Sequence, residues 1–214
     1  QASDTDKRKA VQLAILQANR DDRTPANYQI TPDGIGYLLA SLISQTASLV
    51  DDDTIIDITV GSGNLLWTVS ENLDFRLNKI GIDKDETQLA LAAAGDELIN
   101  PNAPTTFYQA DILSLDETPK AKVVIADVPV GYYSVDDANQ FETQSSNGQA
   151  WVQNLIVEKS LSFVSDDGWV YLIVPAALLS GDNAKKLLQF VTSRTQLKAF
   201  LQLPNDFFQD ERAA

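Results

Sequence analysis

The sequence predicts an α/β protein, a parallel sheet covered by helices on both faces. Two observations predict it. From residue 54 onward, short apolar runs alternate with segments whose apolar residues recur at helical spacing. Such alternation builds right-handed βαβ units. Four of the runs also carry an aspartate at or near their carboxyl ends: Asp57, Asp83, Asp111 and Asp127. Ligands bind beyond the carboxyl ends of strands in sheets of this kind, so four acids on one rim predict a shared binding crevice.

The elements follow in order. Residues 3–20 place Ala10, Val11, Ala14, Ile15 and Ala18 at helical spacing, and DDRTPANYQ reads as a loop. Thr31 caps a helix that Pro32 opens at its first turn; Ile35, Leu38, Leu39, Leu42 and Ile43 give it an apolar stripe. DDDTIIDITV is a short buried strand and GSGNLLWTVSENL the helix after it. Residues 79–83 form a second strand and ETQLALAAAGDELI a second crossover helix. TTFYQADI and AKVVIADVPV are the third and fourth strands, the fourth ending at Asp127. Residues 131–148 have no clear period. GQAWVQNLIVEKSLSFV reads as a helix, GWVYLIVP as a fifth strand, NAKKLLQFVTSRT as a helix and QLKAFLQLP as a sixth strand. Trp67, Trp151 and Trp169 fall in predicted helix or strand, which is core packing. The acidic run at 51–53 is a solvated strand entrance, and LPNDFF an apolar anchor after the last strand.

Composition narrows the function. The chain has 214 residues, 44% of them apolar and 21% charged, enough for one domain with a real core. It has no Cys, which excludes a disulfide framework and thiolate metal sites, and no His, the commonest metal ligand and general base. We expect no metal. The start has no signal-peptide core, and no apolar run approaches the roughly eighteen residues that cross a membrane; the expectation is a cytoplasmic protein. The net charge of −14, with only 16 Lys and Arg, opposes a sequence-independent grip on nucleic acid, which needs clustered cations. The chain has no Met, so we expect missing sequence at one or both ends.

The stretch DITVGSGNLL, residues 57–66, carries the cofactor reading. A phosphate-binding Walker loop ends in Gly-Lys-Ser/Thr, absent here. A dinucleotide loop wants a third glycine where Leu66 stands. Asp83 lies twenty residues after Gly63 at a strand end, placed to accept hydrogen bonds from ribose hydroxyls. A ribose contact without a pyrophosphate loop points to a nucleoside cofactor such as S-adenosylmethionine. Two glycines let backbone approach it closely, and Asp57 suits its ammonium group.

The order of these segments, Thr31-Pro32, DITVGSGNLL, GIDKDE, QADIL, DVPVGYY, GWVYLIVPAALL and LKAFLQLPNDFF, resembles the amino-group methyltransferases that use S-adenosylmethionine. It is most similar to the adenine-specific DNA methylases, including modification subunits of bacterial type I restriction systems and the YtxK-like proteins. The resemblance runs from Thr31 to Phe208. It implies a Rossmann-like, doubly wound, mostly parallel sheet with an N-terminal helical segment. Residues 1–30 would be that segment, truncated, and 31–214 the catalytic domain, lacking its last strand.

The resemblance implies roles. Thr31 and Pro32 would touch the methionine part of the cofactor, though a plain helix cap explains the pair equally. Asp57, Gly61, Ser62 and Gly63 would surround its amino-acid group. Asp83 would hold the ribose, Ile82 or Lys84 would flank the adenine, and Asp111, followed by Ile112, would accept from the adenine amine; Asp111 as a cap of a short helix is the alternative. The catalytic motif of the family is Asp or Asn, two prolines and an aromatic; here it reads Asp127-Val128-Pro129-Val130. Asp127 would accept from the target amine and border the cofactor, and Pro129 matches. Val130 cannot stack on a flipped base, a role that passes to Tyr132 or Tyr133, with Gly131 as the turn that presents them. Between Lys122 and Lys159 there is no Lys or Arg, while Asp127, Asp136, Asp137, Glu142 and Glu158 fall there, and these acids repel a phosphate backbone. Two alternatives therefore accompany the DNA reading: methylation of an RNA or protein amine, and a cofactor-binding member with weak or no catalysis. A dinucleotide enzyme is disfavoured by Leu66.

Overall fold

A computed structural model describes residues 2–21, 30–134, 138, 140–144 and 150–204. The core is a five-stranded, all-parallel sheet in the order β3-β2-β1-β4-β7, with β1 Thr54–Asp57, β2 Asn78–Asp83, β3 Thr106–Gln109, β4 Ala121–Asp127 and β7 Val164–Ile173. The helices are α1 Asp4–Asp21, α2 Asp33–Thr46, α3 Asn64–Glu71, α4 Glu86–Ile99, α5 Val152–Ser160 and α6 Gly181–Arg194. A two-stranded antiparallel ribbon, β5 Tyr132–Tyr133 and β6 Ala150–Trp151, stands apart from the sheet. This is the doubly wound, Rossmann-like architecture expected.

Strand side chains alternate between faces, and the core divides accordingly. Ile55, Val123 and Ile125 pack with Leu39, Ile43 and Leu66 of α2 and α3 on one face. Ile56, Val124 and Ala126 pack with Leu155, Ile156 and Phe163 on the other. The central strands β1 and β4 are therefore covered on both sides, as strands of a parallel sheet are. Chain order reverses between β1 and β4, so their carboxyl ends flank the crevice of the switch point.

Three expectations need correction. Residues 196–204 form no strand: they carry no ladder, and Leu197, Phe200 and Leu201 stay about half exposed. A strand needs a paired neighbour and a buried side-chain set, and this stretch has neither. The helix expected over 148–164 begins only at Val152, because Ala150 and Trp151 pair with Tyr133 and Tyr132. On α1 the alanines at 10, 14 and 18 face outward; the buried face consists of Arg8 and Ile15 with Val11 and Gln12 beside them. The loop 22–29 and the LPNDFF segment beyond Pro204 lie outside the described residues.

Trp67 joins α1, α3 and α4. Its ring is fully buried and its Nε1 donates to Asp96 Oδ1 at 3.0 Å. A Cβ added at Gly95 would sit 2.4 Å from Trp67 Cη2 and 3.1 Å from Val11 Cγ1. Overpacking of this kind costs about 1–3 kcal/mol, against a helix-propensity gain of about 0.5–1. Gly95→Ala is therefore expected to lower unfolding free energy by about 1–2 kcal/mol in chemical denaturation, while Gly131→Ala, where a Cβ meets nothing within 4 Å, changes it by under about 0.5.

Candidate functional site

The site begins where β1 ends. After Asp57 the chain turns through residues 58–63 before α3 starts. Gly61 and Gly63 have φ of +51° and +96°, conformations that penalise a side chain. Gly63 is also the N-terminal cap of α3, and a Cβ there would lie 2.6 Å from Trp67 Cζ2. At Gly61 the nearest atom to an added Cβ is Gln88 Oε1, at 4.0 Å. The first glycine thus leaves space on the loop and the second seats the helix on its own tryptophan. Leu66, in place of a third glycine, is buried in the core.

Asp57 is 1% exposed. Its Oδ1 accepts from the Thr59 N–H at 3.0 Å, and its buried Oδ2 has no hydrogen-bond partner among the described residues. Burial pushes the carboxyl up to about 8; the Thr59 N–H opposes this, and the charges of Asp127 and Asp83 add to it. Asp83 is committed to the loop: Oδ2 accepts from the Gly61 N–H at 2.8 Å and Oδ1 from the Asp85 N–H at 2.9 Å. Lys84 is exposed, whereas Ile82 and Ile112 are buried in the core.

Asp127 ends β4 across the switch point. Its Oδ2 accepts from the Thr31 hydroxyl at 2.7 Å, and its backbone carbonyl from the Thr59 hydroxyl at 3.1 Å. Thr31 therefore does not cap its helix; α2 starts at Asp33 with Pro32 as cap and no side-chain cap bond. The Thr31 carbonyl accepts from Asn64 Nδ2 at 2.8 Å. Asp111 does cap, accepting from the Leu113 N–H at 3.0 Å, and it also accepts from the Tyr133 hydroxyl at 3.2 Å. Tyr133 is thus a loop anchor. Tyr132 is 64% exposed and lies against Trp151, ring centroids 4.5 Å apart. Val128 is buried and Val130 half exposed. Gly131 has no positive φ, so its turn does not require glycine.

An open cleft of about 1630 Å³ runs from this loop along β7 to residues 196–204. Thr31, Gly61, Ser62, Asp127, Pro129 and Val130 line its end at the switch point. Asp57, Pro32, Gly63, Asp83, Lys84, Asp111, Ile112 and Tyr132 do not line it. Among the described residues no group of His, Cys, Asp or Glu is arranged to hold a metal ion, and no helix is long and apolar enough to cross a membrane.

Sequence reasoning missed the polar cluster behind Thr31: Arg8, Gln12, Asp33, Asn64 and Glu71. One signal was present. Arg8 falls on the same helical stripe as Val11 and Ile15, a charge where an apolar residue would be expected.

A glycine turn between β1 and α3, an acid at the end of β2 and an Asp-x-Pro after β4 on this sheet define the S-adenosylmethionine-dependent methyltransferase fold. The match to the N-6 DNA methylase family covers residues 21–214, and the chain belongs to that family. It is 34% identical over 199 residues, 92% of its length, to the uncharacterized protein YtxK of Bacillus subtilis. A crystal structure from Listeria monocytogenes, assigned to the class I S-adenosylmethionine-dependent methyltransferases, superposes with a TM-score of 0.80 at 27% identity over 98% of this chain. A protein of Vibrio vulnificus, assigned as the modification subunit of a type I restriction enzyme, superposes with a TM-score of 0.67 at 13% identity over 88% of this chain and 43% of its own. The chain spans 60% of YtxK and 65% of the Listeria protein.

The family implies S-adenosylmethionine as cofactor, and the site fits it. A buried carboxyl oxygen without a partner and a loop that leaves space at Gly61 suit a cationic ligand held close to backbone.

The raised carboxyl makes a prediction about pH. Asp57 binds its proton more tightly folded than unfolded, so its contribution to stability is full below about 4 and is lost as pH rises through about 8. Asp57→Asn removes this dependence. Its melting temperature relative to the parent should climb between pH 5 and pH 8, and a constant difference would contradict the assignment.

Proposed function

We propose that the protein is an S-adenosylmethionine-dependent N-methyltransferase acting on an exocyclic amine, with adenine in DNA the acceptor the family favours. The observation that carries this reading is the pairing of Asp127 with the glycine loop across the switch point, where the Thr31 and Thr59 hydroxyls hold its carboxyl and carbonyl. S-adenosylmethionine supplies an electrophilic methyl group on a sulfonium sulfur. Asp127 accepts a hydrogen bond from the target amine and leaves the nitrogen lone pair free for in-line attack. Positioning and polarisation supply the rate, with no strong base required, in keeping with a chain that has no His. On this reading Asp57 and the loop would hold the amino-acid end of the cofactor, Asp83 its ribose and Asp111 its adenine; Ile112 is buried beside Asp111 in the core and Lys84 is exposed.

A second reading has its own support. Val130 stands where the family places a stacking aromatic, and the stretch 123–158 has no basic residue. Both favour a protein amine, or cofactor binding without transfer. On the DNA reading, exposed Tyr132 supplies the stacking surface.

The test is cofactor binding followed by transfer. Calorimetry should show S-adenosylmethionine binding and no NAD binding. With a radiolabelled methyl donor, Asp127→Ala should lower transfer by about 10²–10³-fold, and Asp127→Asn, the other residue the family uses, should retain more activity than Ala. Cofactor binding with no transfer to DNA, RNA or protein would establish the non-catalytic reading.

A further inference from the structure

Arg8 is fully buried on α1, far in sequence from every motif of the site. It makes two ion pairs, to Asp33 Oδ2 at 2.8 Å and to Glu71 Oε2 at 2.9 Å. A third contact reaches the Tyr37 hydroxyl at 3.3 Å. The arginine thus ties α1 to the first turn of α2 and the last turn of α3. The guanidinium suits this junction because its planar fork serves several acceptors at once.

The cluster continues toward the site. Asp33 Oδ1 accepts from Asn64 Nδ2 at 3.1 Å and from Gln12 Nε2 at 2.5 Å. Gln12 Nε2 also donates to Asn64 Oδ1 at 2.6 Å. Asn64, 3% exposed, then donates to the Thr31 carbonyl. Thr31, 9% exposed, donates its hydroxyl to Asp127 Oδ2. Every link is a hydrogen bond or ion pair between buried or half-buried groups, where such bonds are stronger than in water and geometry is held tightly.

We propose that this chain of contacts is a positioning device for the reaction. Arg8 and Gln12 of α1 set Asp33 and Asn64, Asn64 sets the Thr31 backbone, and the Thr31 hydroxyl fixes the rotation of the Asp127 carboxylate. Thr31 and Asn64 are positioning residues that act through Asp127, and α1 is part of the functional unit. The inference rests on the reading of Asp127 as the group that meets the target amine.

The same contacts would serve stability alone if Asp127 were indifferent to them, and the experiment separates the two roles. The side-chain carboxyl ¹³C resonance of Asp127, assigned through Asp127→Asn, is followed in Thr31→Val, Thr31→Ser, Asn64→Leu and Arg8→Lys. Methyl transfer and cofactor affinity are measured on the same proteins. Thr31→Val should move the Asp127 resonance and lower kcat about 3–10-fold, the loss expected for one hydrogen bond. Thr31→Ser should restore both resonance and kcat. In an Asp127→Ala background Thr31→Val should have no further effect on transfer, because residues that act as a unit are not additive. Arg8→Lys and Asn64→Leu should move the same resonance from further away. Should Thr31→Val fold and leave the resonance and kcat as they were, the chain is a structural clamp and the proposal falls. If the parent protein transfers no methyl group, the reading of its function fails instead, and the resonance still reports whether the clamp reaches Asp127.

Discussion

A carboxyl oxygen buried without a partner is the constraint on which the site depends. Asp57 sits at the end of the central strand, 1% exposed, with only one of its oxygens bonded among the described residues. Leaving such a group unsatisfied costs about 1–3 kcal/mol. The protein lowers the cost by keeping the group protonated near neutral pH. A cation placed beside these acids would reverse the balance by favouring the ionised form of Asp57. The acidic rim is therefore unfavourable by itself and favourable with a positively charged ligand, which suits the cofactor that the family implies.

The glycine loop follows from the same constraint. Asp83 spends both oxygens on loop N–H groups, at Gly61 and Asp85. The acid read as a ribose ligand is in the first place the strut that holds the loop's first glycine. The two roles are compatible, because each carboxylate oxygen has two lone pairs. Asp111 shows the same economy, capping a short helix while accepting from Tyr133. On this rim the acids that would meet a ligand also build the loops that present it.

The parallel sheet, its first five strands and the placement of the glycine loop were legible because each rests on a local signal: an apolar run, a 3.6-residue period, a glycine pair. The cluster from Arg8 to Asp127 was not legible. Its members lie 96 residues apart at the widest single bond, Thr31 to Asp127, and no local pattern announces such a pairing. Thr31 illustrates the difficulty. A Thr-Pro before a helix is explained completely by capping, and only the fold reveals that the hydroxyl turns to Asp127 instead. Residues 196–204 failed in the opposite direction. Their β-like pattern is strong, but a strand exists only through its neighbours, and here the ladder ends at β7.

The departures at the catalytic motif have separate physical consequences. Val128 donates its N–H to the Ile173 carbonyl at 2.9 Å and packs in the core. A proline has no N–H to give, so a proline here would forfeit that bond between β4 and β7. Val128 thus lengthens the ladder by one residue beyond Asp127 and stiffens the strand end that carries the acid. Val130 has no such structural return. It is half exposed at the cleft, two residues before Tyr132, which is still more exposed and already rests on Trp151. Stacking on an aromatic is worth about 1–3 kcal/mol per base. The valine gives that up at position 130, and the exposed ring of Tyr132, resting on Trp151, is an aromatic surface close to it in the chain. The first departure therefore strengthens the scaffold of the motif, and the second leaves position 130 without an aromatic face, which Tyr132 presents two residues further on.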